Sequence, residues 1–167
     1  QVLRQIIKKL DKIEHEKFLK IITKKNIRKQ FKNEFLSVED LKLLSSNPLI
    51  TIGAHTHNHL SLKNLNKEDC IQEIKKSKKI LEGLISRKIN HFSYPYGTKY
   101  DAGKREFKIV EELGFKSATT TSVGKISEKE LFSLPRIHIN QNINEKNLRL
   151  KLSIYYYFYK KLQEIMS

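Results

Sequence analysis

Three histidines lie within five residues of one another, at His55, His57 and His59, directly after the apolar run 49–54. This run is short and rich in β-branched residues, which predicts a buried strand. Functional side chains of α/β folds collect at the carboxyl ends of strands, and neutral imidazole is a common ligand of zinc and similar metals. His55 and His59 converge on one ion if the chain enters a helical turn here. The alternative is a surface loop that happens to hold histidines.

Two later segments also place polar groups near predicted strand ends. Residues 91–97 read His-Phe-Ser-Tyr-Pro-Tyr-Gly, and residues 134–138 read Leu-Pro-Arg-Ile-His. Taken alone, the first segment is an ordinary turn that contains proline. Arg136, taken alone, is more often the donor of a surface ion pair.

The three segments together, in this order, resemble the polysaccharide deacetylases, which are the carbohydrate esterase family 4 enzymes with a NodB-homology domain. Residues 55–59 resemble the family's H-[ST]-x-x-H motif, 91–97 its F-[AS]-Y-P-Y-G segment, and 134–137 its L-P-R-[IV] segment. Glu-Leu-Gly-Phe at 112–115 resembles the family's helix exit. The resemblance runs from about residue 35 to residue 140.

The resemblance implies a divalent metal site and a substrate groove. The metal, usually zinc and sometimes cobalt or nickel, is held in the family by two histidines and one aspartate. The histidines correspond here to His55 and His59, and His57 falls at a variable position. Tyr94, Pro95 and Tyr96 are then expected to line the groove, with the Tyr96 N–H holding the tetrahedral oxyanion.

The resemblance also implies roles for two later residues. Arg136 resembles the arginine that orients the catalytic carboxylate. His138 is either a catalytic acid or an exposed strand histidine, because it lies in the right part of the chain but outside the family's late histidine motif.

One family motif has no counterpart in the sequence. The family's T-F-D-D-G strand end supplies the general base and the third metal ligand, whereas the aspartates of this chain are isolated from one another, at Asp11, Asp40, Asp69 and Asp101. We therefore expect little hydrolysis by the chain alone, since positioned proton transfer contributes about 10²- to 10⁴-fold.

The order of predicted elements indicates an α/β fold. Predicted strands alternate with helices of ten to twenty residues, which is typical of a parallel sheet. The resemblance makes this a distorted (β/α) barrel that is incomplete at its N-terminus. Helices are predicted at 37–46, 66–84 and 104–113, and strands at 49–54, 89–94, 115–121 and 134–139.

Three units are expected along the chain. Residues 1–36 form a helical segment with an apolar stripe, residues 37–147 the deacetylase-like domain, and residues 148–167 a terminal helix. The helix is expected to pack its aromatic side chains on the domain, and membrane-surface contact is the alternative. The stripe comprises Leu3, Ile6, Ile7, Leu10 and Ile13.

The chain has 167 residues and a net charge of +15, with its lysines spread along the whole length. We therefore expect no nucleic-acid partner, because no recognition motif accompanies the charge. Peripheral membrane contact through the basic surface stays an alternative. No secretory signal is visible, so both the bacterial envelope and the cytoplasm stay open, as does the oligomeric state. The single cysteine, Cys70, cannot form an internal disulfide.

Two interpretations of function follow. The first is an enzyme, or part of one, that removes acetyl groups from N-acetylated or O-acetylated polysaccharide or glycan. The second is a non-catalytic remnant of such an enzyme that binds carbohydrate or a partner, which the missing aspartate pair favours for the chain alone.

Overall fold

The computed structural model describes Ile7, Leu10, residues 12–23 and residues 35–166. Leu3 and Ile6 of the predicted N-terminal stripe lie outside these residues. The helices are α1 (Lys12–Thr23), α2 (Val38–Ser46), α3 (Lys67–Ile85), α4 (Lys104–Glu112), α5 (Glu145–Leu152) and α6 (Ile154–Met166). The strands are β1 (His91–Ser93) and β2 (Ser117–Thr119), and short 3₁₀ turns occur at Leu62–Asn64 and Glu128–Glu130.

The sheet is parallel. β1 pairs with β2 so that Phe92 lies opposite Ala118. Isolated parallel bridges join Ala54 to Phe92 and Leu134 to Thr119. Four chain segments therefore run side by side, which confirms the predicted α/β class. In the described part of the chain the sheet is open and does not close into a barrel.

The strand predicted at 49–54 is wrong except at its last residue. Leu49 is 92% exposed, and only Ala54 bridges to the sheet. Asn47 explains the difference, because its side-chain Oδ1 accepts the Leu49 N–H (2.9 Å) and its carbonyl accepts the Ile50 N–H (3.1 Å). A turn after α2 thus uses N–H groups that a strand would have paired. The predicted strand at 134–139 likewise shrinks to the bridge at Leu134.

The predicted helices are present, and their caps explain their bounds. The Ser37 hydroxyl accepts the Asp40 N–H, and the Asp40 carboxylate accepts the Ser37 N–H, which forms a capping box. The hydrogen bonds from the Ser37 hydroxyl and backbone lower the pKa of the Asp40 carboxyl. The Asn66 side chain caps α3 in the same way by accepting the Asp69 N–H.

The core lies between the sheet and helices α3 and α4. Its buried members include Ile74 of α3, Phe92 of β1, Val110 of α4 and Ala118 of β2. Cys70 is also buried here, and desolvation raises the pKa of its thiol to about 12. The thiol therefore stays protonated near neutral pH, as expected for a structural cysteine.

The predicted terminal helix is two helices. α5 ends at Ser153, whose backbone N–H and hydroxyl both donate to the Leu150 carbonyl. The predicted packing of the aromatic run is wrong for Tyr155, Phe158 and Tyr159, which are all more than half exposed. None of the described helices is long and apolar enough to span a bilayer.

Candidate functional site

His55 and His59 lie side by side after the bridge at Ala54. Their ring centroids are 4.8 Å apart with the rings steeply inclined to each other. The Nδ1 atom of His55 lies 2.6 Å from the Ser93 carbonyl oxygen, and because a carbonyl only accepts, this nitrogen carries the proton. In the neutral ring Nε2 is then the coordinating nitrogen. A ligating histidine typically has its other nitrogen held in this way.

A strained backbone brings the two rings together. Thr56 and His59 both adopt left-handed conformations, with φ values of 63° and 57°. Such conformations cost of order 1–2 kcal/mol per residue for side chains with a Cβ, and are least expected of a β-branched residue. Within the loop, the Thr56 hydroxyl accepts the His59 N–H at 3.1 Å. The chain therefore turns after Ala54, which places the ring of His59 beside that of His55. His57 and His59 are both exposed, and His55 is half-buried.

A carboxylate on α3 holds this loop from outside. Glu73 is only 4% exposed. Its Oε2 accepts the Asn58 N–H at 2.8 Å, and its Oε1 accepts the Asn58 side-chain amide at 2.7 Å. Glu73 is not among the residues predicted from the sequence, although a signal existed. Glu73 lies three residues after Cys70 and four before Ser77, which places it on the inner stripe of the helix.

The loop after β1 presents Tyr96 to the histidines. The Tyr96 ring meets the His59 ring edge-on, with centroids 4.9 Å apart. The Gly97 N–H donates to the Pro95 carbonyl at 2.6 Å across Tyr96, whose φ is 60°. This combination is the rare and strained form of γ-turn. Thr121 braces the turn through its hydroxyl, which donates to the Tyr96 carbonyl at 3.0 Å.

Tyr94 and Pro95 are also expected to line the groove. Both side chains are fully buried, and the Tyr94 hydroxyl donates to the Phe132 carbonyl at 2.9 Å. Desolvation raises the pKa of the Tyr94 phenol far above its usual range. The Tyr94 ring packs against Phe92 and Phe107, and its side chain has no exposed surface. The expected contact with substrate stays a prediction. The two residues anchor the turn that carries Tyr96.

Arg136 connects to the histidines through one residue. Its Nη1 donates to the Ser93 hydroxyl at 3.1 Å, and the Ser93 carbonyl is the acceptor for His55. Arg136 and His138 also line an open cleft of about 670 Å³ together with Thr121 and Tyr156. His138 is exposed, and its backbone carbonyl accepts the Lys151 ammonium at 2.8 Å. The cleft therefore borders Thr121, which braces the turn that carries Tyr96.

The aspartates of the described residues are used structurally. Asp40 and Asp69 take part in helix caps. Asp101 is buried, and its carboxylate accepts the Ser61 hydroxyl at 3.0 Å and the Thr98 N–H at 3.2 Å. Asp11 lies outside the described residues. Within residues 35–166 and the described N-terminal ranges, no group of three His, Cys, Asp or Glu side chains is arranged to hold a metal. The imidazoles of His55 and His59 are suited to be two ligands of a metal site, and the described residues place no third His, Cys, Asp or Glu ligand beside them.

A family model matches most of the chain. The model, described as polysaccharide deacetylase, matches residues 1–118. The matched range contains the histidine pair and the Tyr96 turn. It ends before Arg136 and His138, whose roles rest on the motif resemblance alone.

Individual relatives give the same result. The chain is 26% identical over 110 residues to YxkH of Bacillus subtilis, whose name assigns it to the polysaccharide deacetylases, covering 65% of this chain and 38% of that protein. The structure of the Streptococcus pyogenes deacetylase PplD in complex with acetate matches with a TM-score of 0.63 and 26% identity, covering 71% of this chain and 51% of that one. A polysaccharide deacetylase from Bacillus cereus matches with a TM-score of 0.60 and 21% identity, covering 71% and 37%, respectively. The chain thus spans about half or less of the length of these relatives.

Proposed function

This chain belongs to the polysaccharide deacetylase family, and on that premise we propose that it forms part of a metal-dependent hydrolase acting on N-acetylated or O-acetylated glycans. The observation that carries the proposal is the histidine pair, with ring centroids 4.8 Å apart and His55 held through Nδ1 by the Ser93 carbonyl. This arrangement fixes one coordinating nitrogen and places a second imidazole next to it.

In this proposal His55 and His59 bind a divalent ion, with zinc as the first candidate and cobalt or nickel as alternatives. Such an ion supplies Lewis acidity toward an acetyl carbonyl and toward a bound water. The remaining steps belong to the protein. Water adds to the carbonyl carbon, the bond to the sugar nitrogen or oxygen breaks, and acetate leaves as the sugar takes a proton.

The surrounding residues have proposed roles in these steps. The Tyr96 N–H helps to hold the developing oxyanion, supported by the position of Tyr96 beside His59. Arg136 orients the carboxylate that deprotonates the water, supported by its bond to Ser93. His138 protonates the leaving group, supported by the cleft that it shares with Arg136.

We further propose that the base and the third ligand come from outside the described residues. The support is that Asp40, Asp69 and Asp101 are already engaged in caps or in a buried hydroxyl network. The chain alone is then expected to bind metal weakly and to turn over little substrate.

Acetate release tests this proposal. N-acetylglucosamine oligomers and peptidoglycan are incubated with zinc or cobalt and either the 167-residue chain or a longer protein that adds an aspartate-bearing strand. We expect metal-dependent release from the longer protein only. His55→Ala and His59→Ala should each lower its rate by about 10²-fold or more. His57→Ala removes a third histidine of the same loop, one outside the His55–His59 pair, and as the matched control it should change little. Robust release by the 167-residue chain would mean that a residue within it supplies the base.

A non-catalytic role in binding glycan is the second candidate. The engagement of the described aspartates favours it for the chain alone. Calorimetric titration with N-acetylated and fully deacetylated oligomers separates the two. The binding role would be favoured if both ligands bind without turnover and if added metal does not change their affinity, in the chain alone and in the longer protein.

Contact with an anionic membrane surface is a further proposal, favoured by the exposed aromatic residues Tyr155 and Phe158 of α6 and by the net charge of +15. We expect the chain to sediment with vesicles of mixed neutral and anionic lipids, and to do so less at high salt. Replacing Tyr155 and Phe158 by Ser should weaken binding. Tyr100→Ser, which removes an equally exposed aromatic elsewhere, should not. Equal losses from both changes would exclude α6 as the contact.

A further inference from the structure

Glu73 differs from the other carboxylates of α3 in where its hydrogen bonds go. Both of its oxygens accept from Asn58, fifteen residues earlier in the chain, at 2.8 and 2.7 Å. A buried carboxylate is unfavourable unless polar donors compensate it, and here the two donors come from one residue of the histidine loop. The pairing therefore ties helix α3 to the residue directly before His59.

The histidine loop needs such a tie because its backbone is strained. Thr56 and His59 have φ values of 63° and 57°, conformations that persist when the surroundings over-determine them. The bond from the His59 N–H to the Thr56 hydroxyl lies inside the loop and moves with it. By contrast, the bonds from His55 to Ser93 and from Asn58 to Glu73 connect the loop to β1 and α3. One anchor fixes His55, and the other lies next to His59.

We propose that Glu73 is a positioning residue that sets His59 against His55 and thereby determines the metal affinity of the pair. Glu73 acts through Asn58. The part that concerns metal rests on the proposed function, whereas the part that concerns the position of the two rings does not.

The chemistry of the pair dictates which substitutions are informative. Asn58 offers two N–H donors, so its partner must offer two acceptors, which a carboxylate does. Glu73→Met removes both acceptors at a similar side-chain length and leaves both N–H donors of Asn58 without this partner. Glu73→Gln is the conservative variant, because the glutamine oxygen can accept the Asn58 backbone N–H while the glutamine amide donates to the Asn58 side-chain oxygen once the Asn58 amide turns over.

The same helix supplies a matched control. Glu82 of α3 also accepts a backbone N–H through its carboxylate, that of Ile89 at 3.0 Å. Glu82→Met therefore removes a carboxylate acceptor in the same helix, at a bond that does not involve the histidine loop. Asn58→Ala removes only the side-chain half of the pairing and serves if Glu73→Met fails to fold.

The experiment uses the 167-residue chain and two readouts. The first is the nuclear Overhauser contact between the imidazole protons of His55 and His59 without metal. The second is zinc affinity, measured by calorimetry and by the shifts of the imidazole resonances. We expect Glu73→Met to abolish the ring contact and to weaken zinc binding by about 10-fold or more. Glu73→Gln should retain both to within a few fold, Asn58→Ala should show a smaller loss than Glu73→Met, and Glu82→Met should change neither.

The outcomes separate the inference from the proposed function. Retention of ring contact and zinc affinity in Glu73→Met, or in Asn58→Ala if the former does not fold, overturns the inference. Equal losses in Glu82→Met also overturn it, because the effect would then reflect general destabilisation. A loss in Glu73→Gln as large as that in Glu73→Met contradicts the hydrogen-bond origin. A chain that binds no zinc but loses its ring contact on Glu73→Met supports the positioning role and contradicts the metal assignment.

Discussion

His59 illustrates how the site is made at the level of single residues. Thr56, His59 and Tyr96 all have positive φ, and all three lie in the two loops that meet at the His59 and Tyr96 rings. Strain of this kind clusters at functional sites, where the surrounding structure holds it. Here the Ser93 carbonyl, the Glu73 carboxylate and the Thr121 hydroxyl hold the two loops from outside. The strained residues thus set the orientation of the His59 and Tyr96 rings toward each other.

Two substitutions at Thr56 separate its hydroxyl from its shape. Thr56→Ser keeps the acceptor for the His59 N–H and lowers the strain of a β-branched residue at positive φ. Thr56→Val keeps the shape and the strain but removes the acceptor. We expect the valine variant to be less stable than the unmodified chain by about 0.5–1.5 kcal/mol, the net value of a hydrogen bond, and the serine variant to show no such loss. Urea unfolding measures the difference, and equal stabilities would show that the hydroxyl contributes nothing.

At the level of elements, the chain places each candidate residue on a turn that directly follows a sheet segment. The His loop follows the bridge at Ala54, the Tyr96 turn follows β1, and Thr121 follows β2. Parallel segments put these turns at one edge of the sheet. Thr121 then joins two of them, because its N–H donates to the Gly97 carbonyl at 2.8 Å. The close approach at Gly97 leaves little room for a side chain.

Two Gly→Ala substitutions are expected to change the stability of the fold in opposite directions. Gly97 has φ of +67°, and an added Cβ would lie 2.9 Å from the Thr121 nitrogen. Gly97→Ala should therefore destabilise the fold by about 2 kcal/mol or more. Gly83 lies within α3 with no atom within 4 Å of an added Cβ, so Gly83→Ala should stabilise by about 0.5–1 kcal/mol. The midpoints of urea unfolding measure both changes in stability. A loss of stability in Gly83→Ala as well would show that the space around position 83 of α3 does not accommodate a methyl group.

Across the whole molecule, local signals predicted the helices better than the sheet. The caps at Ser37 and Asn66 are set by neighbouring residues, and the sequence therefore predicted α2 and α3 closely. The predicted strand at 49–54 failed because Asn47 accepts two of its N–H groups, that of Leu49 through the side chain and that of Ile50 through the backbone carbonyl, and apolar patterning does not register such bonds. The candidate histidines were found from motif spacing. Glu73 was not, since its role depends on a contact with Asn58 that only the tertiary fold creates.

The stability of the whole molecule should fall at alkaline pH. Desolvation raises the pKa of the Cys70 thiol from 9.0 to about 12, and it also raises the pKa of the Tyr94 phenol. Both groups hold their protons more tightly in the folded chain than in the unfolded one. Their contribution is thus fully present below about pH 9 and is lost as the pH rises toward 12. Urea unfolding at pH 7, 9 and 10.5 measures this, and Cys70→Ala isolates the share of the thiol. Between pH 9 and 10.5 we expect the unmodified chain to lose stability more steeply than Cys70→Ala, by up to about 1.4 kcal/mol per pH unit.

Titration of lysines is common to both proteins and cancels in the comparison. Identical slopes would show that the thiol ionises as readily in the core as in the unfolded chain, and rapid reaction of the folded protein with a thiol reagent at pH 8 would contradict the burial of Cys70 in the same way.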